Sequence, residues 1–167
     1  MLPLCIFAAL LSFEIHAPHP ITEQSASYQY AWAKSKLGPR VAECLLILRD
    51  TKDGDGDEHW TLAIALNESG LDAFKISSKG ARSSMQTYRK YAPCKKCTLR
   101  KAGIMIAQGL LQAQGGHLCE AAARYNAGPK GRCSGVGGAY GRRVQRTYLR
   151  LVQWELDQLE GADDTED

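Results

Sequence analysis

Glu68 stands in the run Glu68-Ser69-Gly70 and is followed by Ser77, by Gly80-Ala81-Arg82, by Met85-Gln86 and, far downstream, by Arg124-Tyr125-Asn126-Ala127-Gly128-Pro129. A carboxyl near a helix end is by default a solvated charge. Set among hydroxyl, amide and phenol groups, it can instead move protons in a reaction. Cleaving a glycosidic bond needs an acid at the leaving oxygen, and hydrolases ordinarily add a second carboxylate as base or nucleophile. No obvious second carboxylate accompanies Glu68: Asp72 falls in a predicted loop, and Asp50, Asp53, Asp55 and Asp57 lie in a polar turn where solvation is the default role. The pattern is that of a single-acid site.

Other chemistry-bearing groups carry less. Asp53, Asp55 and Asp57 resemble the start of a calcium loop, but Glu58 and Ile64 occupy the positions where an EF-hand needs glycine and a bidentate acid. Cys94, Cys97, His117, Cys119 and Cys133 could in principle supply zinc ligands, yet they lack the repeated short spacing of zinc modules. No metal and no cofactor is expected. The basic run Arg142, Arg143, Arg146 and Arg150 has no aromatic-basic module or helix-turn-helix beside it, so a solvated helix face, or contact with acidic peptides, accounts for it better than nucleic acid.

The elements that must position Glu68 are helical, since no stretch shows sustained period-two alternation. Pro39 suits a first helical position, and Val41, Cys44, Leu45 and Leu48 give an amphipathic helix over about 39–50. Trp60, Ala63, Ile64 and Leu66 run at helical spacing into Glu68, with Gly70 as the stop. Ala81 to Tyr91 is predicted to form a further helix before Pro93. Thr98 can cap a helix carrying Ala102, Met105, Ile106 and Leu110 on one side and ending at Gly115 and Gly116. Leu118 to Tyr125 is a short helix, and Tyr140 to Leu159 carries an apolar stripe of Val144, Tyr148, Leu151, Val152 and Trp154. The fold class is all-α.

A chain of 167 residues builds one core. Three parts are expected: residues 1–17 as a signal peptide or an N-terminal hydrophobic helix, 18–152 as the domain, and 153–167 as an acidic, solvated tail. The apolar run Leu2 to Phe13 has the length of a signal-peptide core but lacks a positive start, and it is too short for a stable membrane span. The last thirteen residues hold seven acids and no base, leaving 21 bases against 11 acids elsewhere. Such a basic body suits an acidic polymer, and on charge alone nucleic acid or an anionic membrane would fit equally. Six cysteines fit an oxidising compartment, hence export to the periplasm or cell envelope, with at least one disulfide expected. The favoured link ties the Cys94 to Cys97 turn to the Cys119 to Cys133 region.

The order and spacing of the Glu68 motifs resemble the soluble lytic transglycosylase family of the lysozyme-like superfamily. That family's pattern is an ESGF-type motif, a serine nine positions on, GARGLMQ ending eighteen positions on, and a later AYNAG. Here Ser77 lies nine and Gln86 eighteen positions after Glu68, and the likeness spans about residues 55–152. Ser83-Ser84 replaces the family's Gly-Leu, and Arg124 replaces the alanine of AYNAG. The resemblance implies a lysozyme-like transglycosylase domain with a substrate cleft. Glu68 would protonate the bond between muramic acid and glucosamine and then deprotonate the muramic C6 hydroxyl, giving a 1,6-anhydro end. Ser77, Met85, Gln86, Tyr125 and Asn126 would bind substrate, with Met85 and Tyr125 as apolar walls. The implied partner is peptidoglycan, met by a monomer, with secretion, conjugation or phage-infection machines as the settings in which such small enzymes work. A hydrolytic goose-type muramidase and a non-catalytic peptidoglycan-binding component remain the alternatives.

Overall fold

The computed structural model describes residues 1–16 and 26–163. Six α-helices account for most of them: α1 (Leu2–His16), α2 (Ala26–Lys52), α3 (Glu58–Ser69), α4 (Leu99–Ala113), α5 (Leu118–Ala127) and α6 (Gly138–Asp163). No strand occurs among the described residues; only isolated bridges join Ile76 to Arg82 and Arg82 to Thr87. The chain is all-α in this sense.

Helix α3 is the centre. Every residue from Trp60 to Leu66 is buried, as expected of a helix apolar on all sides. It packs against α1, α2, α4 and α6. Asp57 caps its start by accepting from the Trp60 N–H at 2.8 Å, so an aspartate of the calcium-like run serves as a helix cap. Gly70 ends the helix in the left-handed conformation at φ 64°, where a side chain would be strained. Polar bonds then fix its rotation. The Trp60 indole donates to the Ala107 carbonyl on α4, and Gln108 of α4 donates to the Asp57 carbonyl and the Thr61 hydroxyl. On the other side the Asn67 amide donates to Thr147 of α6. Glu68 follows at once.

Helix α1 packs mainly on α2 and α3 and is joined to α2 by the Cys5–Cys44 disulfide. Helix α2 starts earlier than the sequence suggests and runs through Pro39. Pro39, which removes one helical hydrogen bond, and Gly38 are both exposed. Helix α6 continues past residue 152 to Asp163, so that much of the acidic tail is helical; residues 164–167, and the expected boundary at 17, lie outside the described residues.

The helix expected over Ala81 to Tyr91 does not form; only Arg89–Tyr91 makes one 3-10 turn. Ser83 and Gln86 sit at φ 74° and 46°, which no α-helix accommodates. Between them the backbone folds back, with Arg82 and Thr87 exchanging N–H···O bonds of 3.2 and 2.9 Å. Ser84, fully buried, donates to Glu43 of α2 at 2.6 Å. Tertiary contacts have overridden local propensity. Helix α4 is capped by Thr98 as the sequence suggests, but its buried face is Ala102, Gly103, Ile104 and Ala107, while Met105 is exposed. Small residues are required there, because a Cβ on Gly103 would collide with the side chains of Met85 and Thr87.

The cysteine pairing also differs from expectation. Disulfides join Cys94 to Cys97 and Cys119 to Cys133 within each region, not between the two. Each region's cysteines are already at bridging distance, with Cα separations of 5.6 and 5.4 Å. No described cysteine is left as a ligand or thiol.

Candidate active site

A cavity of about 850 Å³ opens where the end of α3, the turns of residues 77–91, and α4 and α5 meet. Glu68, Ser77, Gln86, Tyr125 and Asn126 all line it. Met85 does not. Its side chain is fully buried beneath the 82–87 turn, and its contribution is its backbone carbonyl, which accepts from the Tyr125 hydroxyl at 2.7 Å.

The same turns place the polar groups. Ser77 accepts the Ala81 N–H on its Oγ at 2.9 Å, closing the turn around Gly80. Gln86 donates its amide to the carbonyls of Lys75 and Ser83, both at 2.9 Å, so its Oε1 keeps its acceptor capacity. Tyr125 is spent on Met85 and forms a fixed wall. Burial and the Glu68 charge push its hydroxyl far up, keeping it neutral.

Glu68 is half-buried, and its Oε1 accepts from the Tyr140 hydroxyl at 2.6 Å. Burial raises its carboxyl above the ordinary range, and the Tyr140 hydrogen bond, Lys75 and Arg143 oppose that rise. Lys75 also donates to the Glu68 backbone carbonyl at 2.9 Å, fixing the helix end against the following loop. A carboxyl so placed holds its proton more readily than a solvated one. It is also the one acid among the lining residues. Asp72 is exposed, spends its side chain on the Phe74 N–H and does not line the cavity.

Tyr140 escaped the sequence reading. It stands four residues before Val144 on the apolar stripe of α6, so it looks like one more core position; it is indeed 7% exposed, with only its hydroxyl reaching the site. Burial first, then the Glu68 charge and hydrogen bond, raise its hydroxyl well above the usual phenol range. It remains a donor. Apolar lining comes from Ile106 and Leu110 of α4, and Tyr88 and Tyr91 add aromatic surface.

Among the described residues no cluster of histidine, cysteine or acid side chains could hold a metal ion, and no helix is long and apolar enough to cross a membrane. Comparison with protein-family models, curated proteins and solved structures found no match to this chain. The class defined by fold and site is therefore a helical protein with a single-acid cavity.

Proposed function

We propose that this chain is a peptidoglycan lytic transglycosylase with a lysozyme-like domain, and that Glu68 is its catalytic acid and base. The observation that carries the reading is the meeting, at one cavity, of a single carboxyl with Ser77, Gln86, Tyr125 and Asn126, residues drawn from three separated motifs. With no second carboxylate in the lining, the double-displacement and base-activated-water routes both lack their usual partner. A nucleophile supplied by the substrate removes that need.

In the first step the Glu68 carboxyl gives its proton to the glycosidic oxygen as the bond from muramic C1 to that oxygen breaks. The C6 hydroxyl of the same sugar then bonds to C1, and its proton passes to the Glu68 carboxylate. Glu68 ends as it began, and no water is consumed. The Tyr140 hydrogen bond holds the carboxyl and favours its charged state after the first transfer. Gln86 and Asn126, which line the cavity, would engage the sugar or its N-acetyl group. The three disulfides fit an oxidising compartment. Export to the periplasm or envelope, or carriage on a virion, completes the proposal, with local gap-making for an envelope-crossing machine as its use.

Digestion of purified sacculi followed by mass analysis of the muropeptides tests this reading. Anhydro-muramic ends are expected. Reducing ends, heavier by one water, would make the protein a hydrolytic muramidase, and binding without release would make it a non-catalytic wall component.

A further inference from the structure

Three charged side chains line the cavity: Glu68, Lys79 and Arg124. The reaction proposed above uses the acid and has no task for either cation. Arg124 sits in the last turn of α5, immediately before Tyr125 and Asn126. Its Nε is buried without a hydrogen-bond partner. No described group forms an ion pair with its guanidinium. Glu120, one helical turn earlier and the natural candidate to neutralise it, keeps its own Oε2 buried and unpartnered, so the two do not satisfy each other.

A cation at a helix C-terminus gains from the helix dipole, but that gain is available to a fully solvated side chain. It does not account for a guanidinium held against the cavity with a buried donor unmet. With no protein acceptor for that donor and no ion-pair partner, the charge of the guanidinium is uncompensated by the protein, and an anionic ligand in the cavity would supply the missing partner. The planar fork of arginine matches a carboxylate through two parallel N–H···O bonds. Lys79, exposed on the turn beside Ser77, adds a second positive charge to the same cavity.

We propose that Arg124, assisted by Lys79, forms a carboxylate-binding subsite in the cavity, so that the preferred glycan carries a free carboxylate near the bond addressed by Glu68. This rests on the glycan-cleaving reading given above. In that polymer the carboxylate has two sources: the lactyl group of a muramic acid whose peptide has been removed, or the stem peptide where it remains. A neutral β-1,4 glycan has neither.

Calorimetric titration of the full chain carrying Glu68→Gln, which separates binding from turnover, tests the subsite. The probes are a peptide-bearing muramyl tetrasaccharide, the same tetrasaccharide stripped by an amidase, and neutral chitotetraose. At least one anionic probe should bind about 10-fold more tightly than chitotetraose, and the preferred one identifies the carboxylate's source. Adding Arg124→Gln should weaken that probe by about 10- to 100-fold, the range of hydrogen bonds to charged groups, and move chitotetraose less than about twofold. Lys79→Gln should produce a smaller loss of the same selectivity. A ligand-side measurement needs no second variant: amidating the carboxylates of the preferred probe should erase its advantage. Equal binding of all three probes, no binding of any, an equal loss on neutral and anionic probes in Arg124→Gln, or indifference to amidation each overturns the subsite. The underlying function fails separately, if the parental protein releases no anhydro-muropeptides while the binding preference persists.

Discussion

Replacing Glu68 by Gln should abolish activity and stabilise the fold together, because both follow from one half-buried carboxyl. A proton-transfer group commonly contributes about 10²–10⁴-fold in rate, or about 3–5 kcal/mol of barrier, and a group filling both the acid and base roles belongs at the upper end. The stability effect has a definite sign. Burial raises the Glu68 carboxyl above its ordinary value, outweighing Tyr140, Lys75 and Arg143. Below the ordinary carboxyl value both folded and unfolded chains hold the proton, and the group costs nothing. As pH rises from there through the raised folded value, the unfolded chain ionises first and the folded state loses stability. Gln never ionises, and its side-chain oxygen can still accept from Tyr140. The variant should therefore be more stable than the parent at neutral pH, by about 0.5–2 kcal/mol, the size common for single stabilising substitutions. At about 2–4 °C per kcal/mol, the melting temperature rises by about 1–8 °C. The gain should close as pH falls below the ordinary carboxyl range. Mass-analysed release from sacculi reads the first effect, and thermal melts followed by circular dichroism from acid to neutral pH read the second. Near-parental release of anhydro-muropeptides removes Glu68 from the mechanism. A variant no more stable than the parent at neutral pH refutes the account of its burial.

Tyr140→Phe removes the hydrogen bond that favours the Glu68 carboxylate, so the alkaline limb of the pH profile of kcat/KM should move to higher pH; an unmoved limb would show that the phenol does not tune the acid. Asp72→Asn should retain most activity in the sacculus assay, and a folded but inactive variant would reinstate a two-carboxylate mechanism. Removing Cys119–Cys133, which closes a loop of sequence separation 14, should cost about 3 kcal/mol, seen as a lower melting temperature. Peptide mapping that links Cys94 or Cys97 to Cys119 or Cys133 would contradict the observed pairing. Ser84→Ala strips a buried donor from Glu43 and should cost about 1–3 kcal/mol in denaturant melts; an unchanged midpoint would leave that bond without energetic weight.

What could be read from the sequence depended on whether the signal was periodic or tertiary. Helix α3 was legible because its apolar run and its stop at Gly70 agree with each other, whereas its cap Asp57 was indistinguishable from the other aspartates of the preceding turn. The side of α4 was not. Of the side picked out by hydrophobicity, Ala102 is buried, Ile106 and Leu110 reach the cavity and Met105 is exposed, while the buried face is completed by Gly103, Ile104 and Ala107. Tyr140 was hidden for the opposite reason: it fits the α6 stripe so well that its hydroxyl, bonded to a residue 72 positions away, carried no local mark. Cysteine spacing alone could not choose among pairings, because bridging depends on Cα geometry.

The Ser83-Ser84 pair marks the limit most clearly, because its two hydroxyls stand where the resembled family keeps a glycine and an apolar residue. Ser83 takes the left-handed conformation at φ 74° that glycine adopts most easily, and its backbone carbonyl receives the Gln86 amide. Ser84 fills the apolar place by bringing a partner with it. Its hydroxyl bonds to Glu43, Glu43 pairs with Arg100, and Arg100 pairs with Asp50, forming a chain of charges from α2 to α4 beneath the turn. A buried network of this kind adds little net stability compared with an apolar core, but each member constrains the geometry of the others. The turn is thus held by Ser84 on Glu43 and by Tyr125 on the Met85 carbonyl, and Gln86, the next residue, lines the cavity. Neither anchor could be inferred from the Ser83-Ser84 pair alone, since both partners lie about forty residues away, at Glu43 and Tyr125.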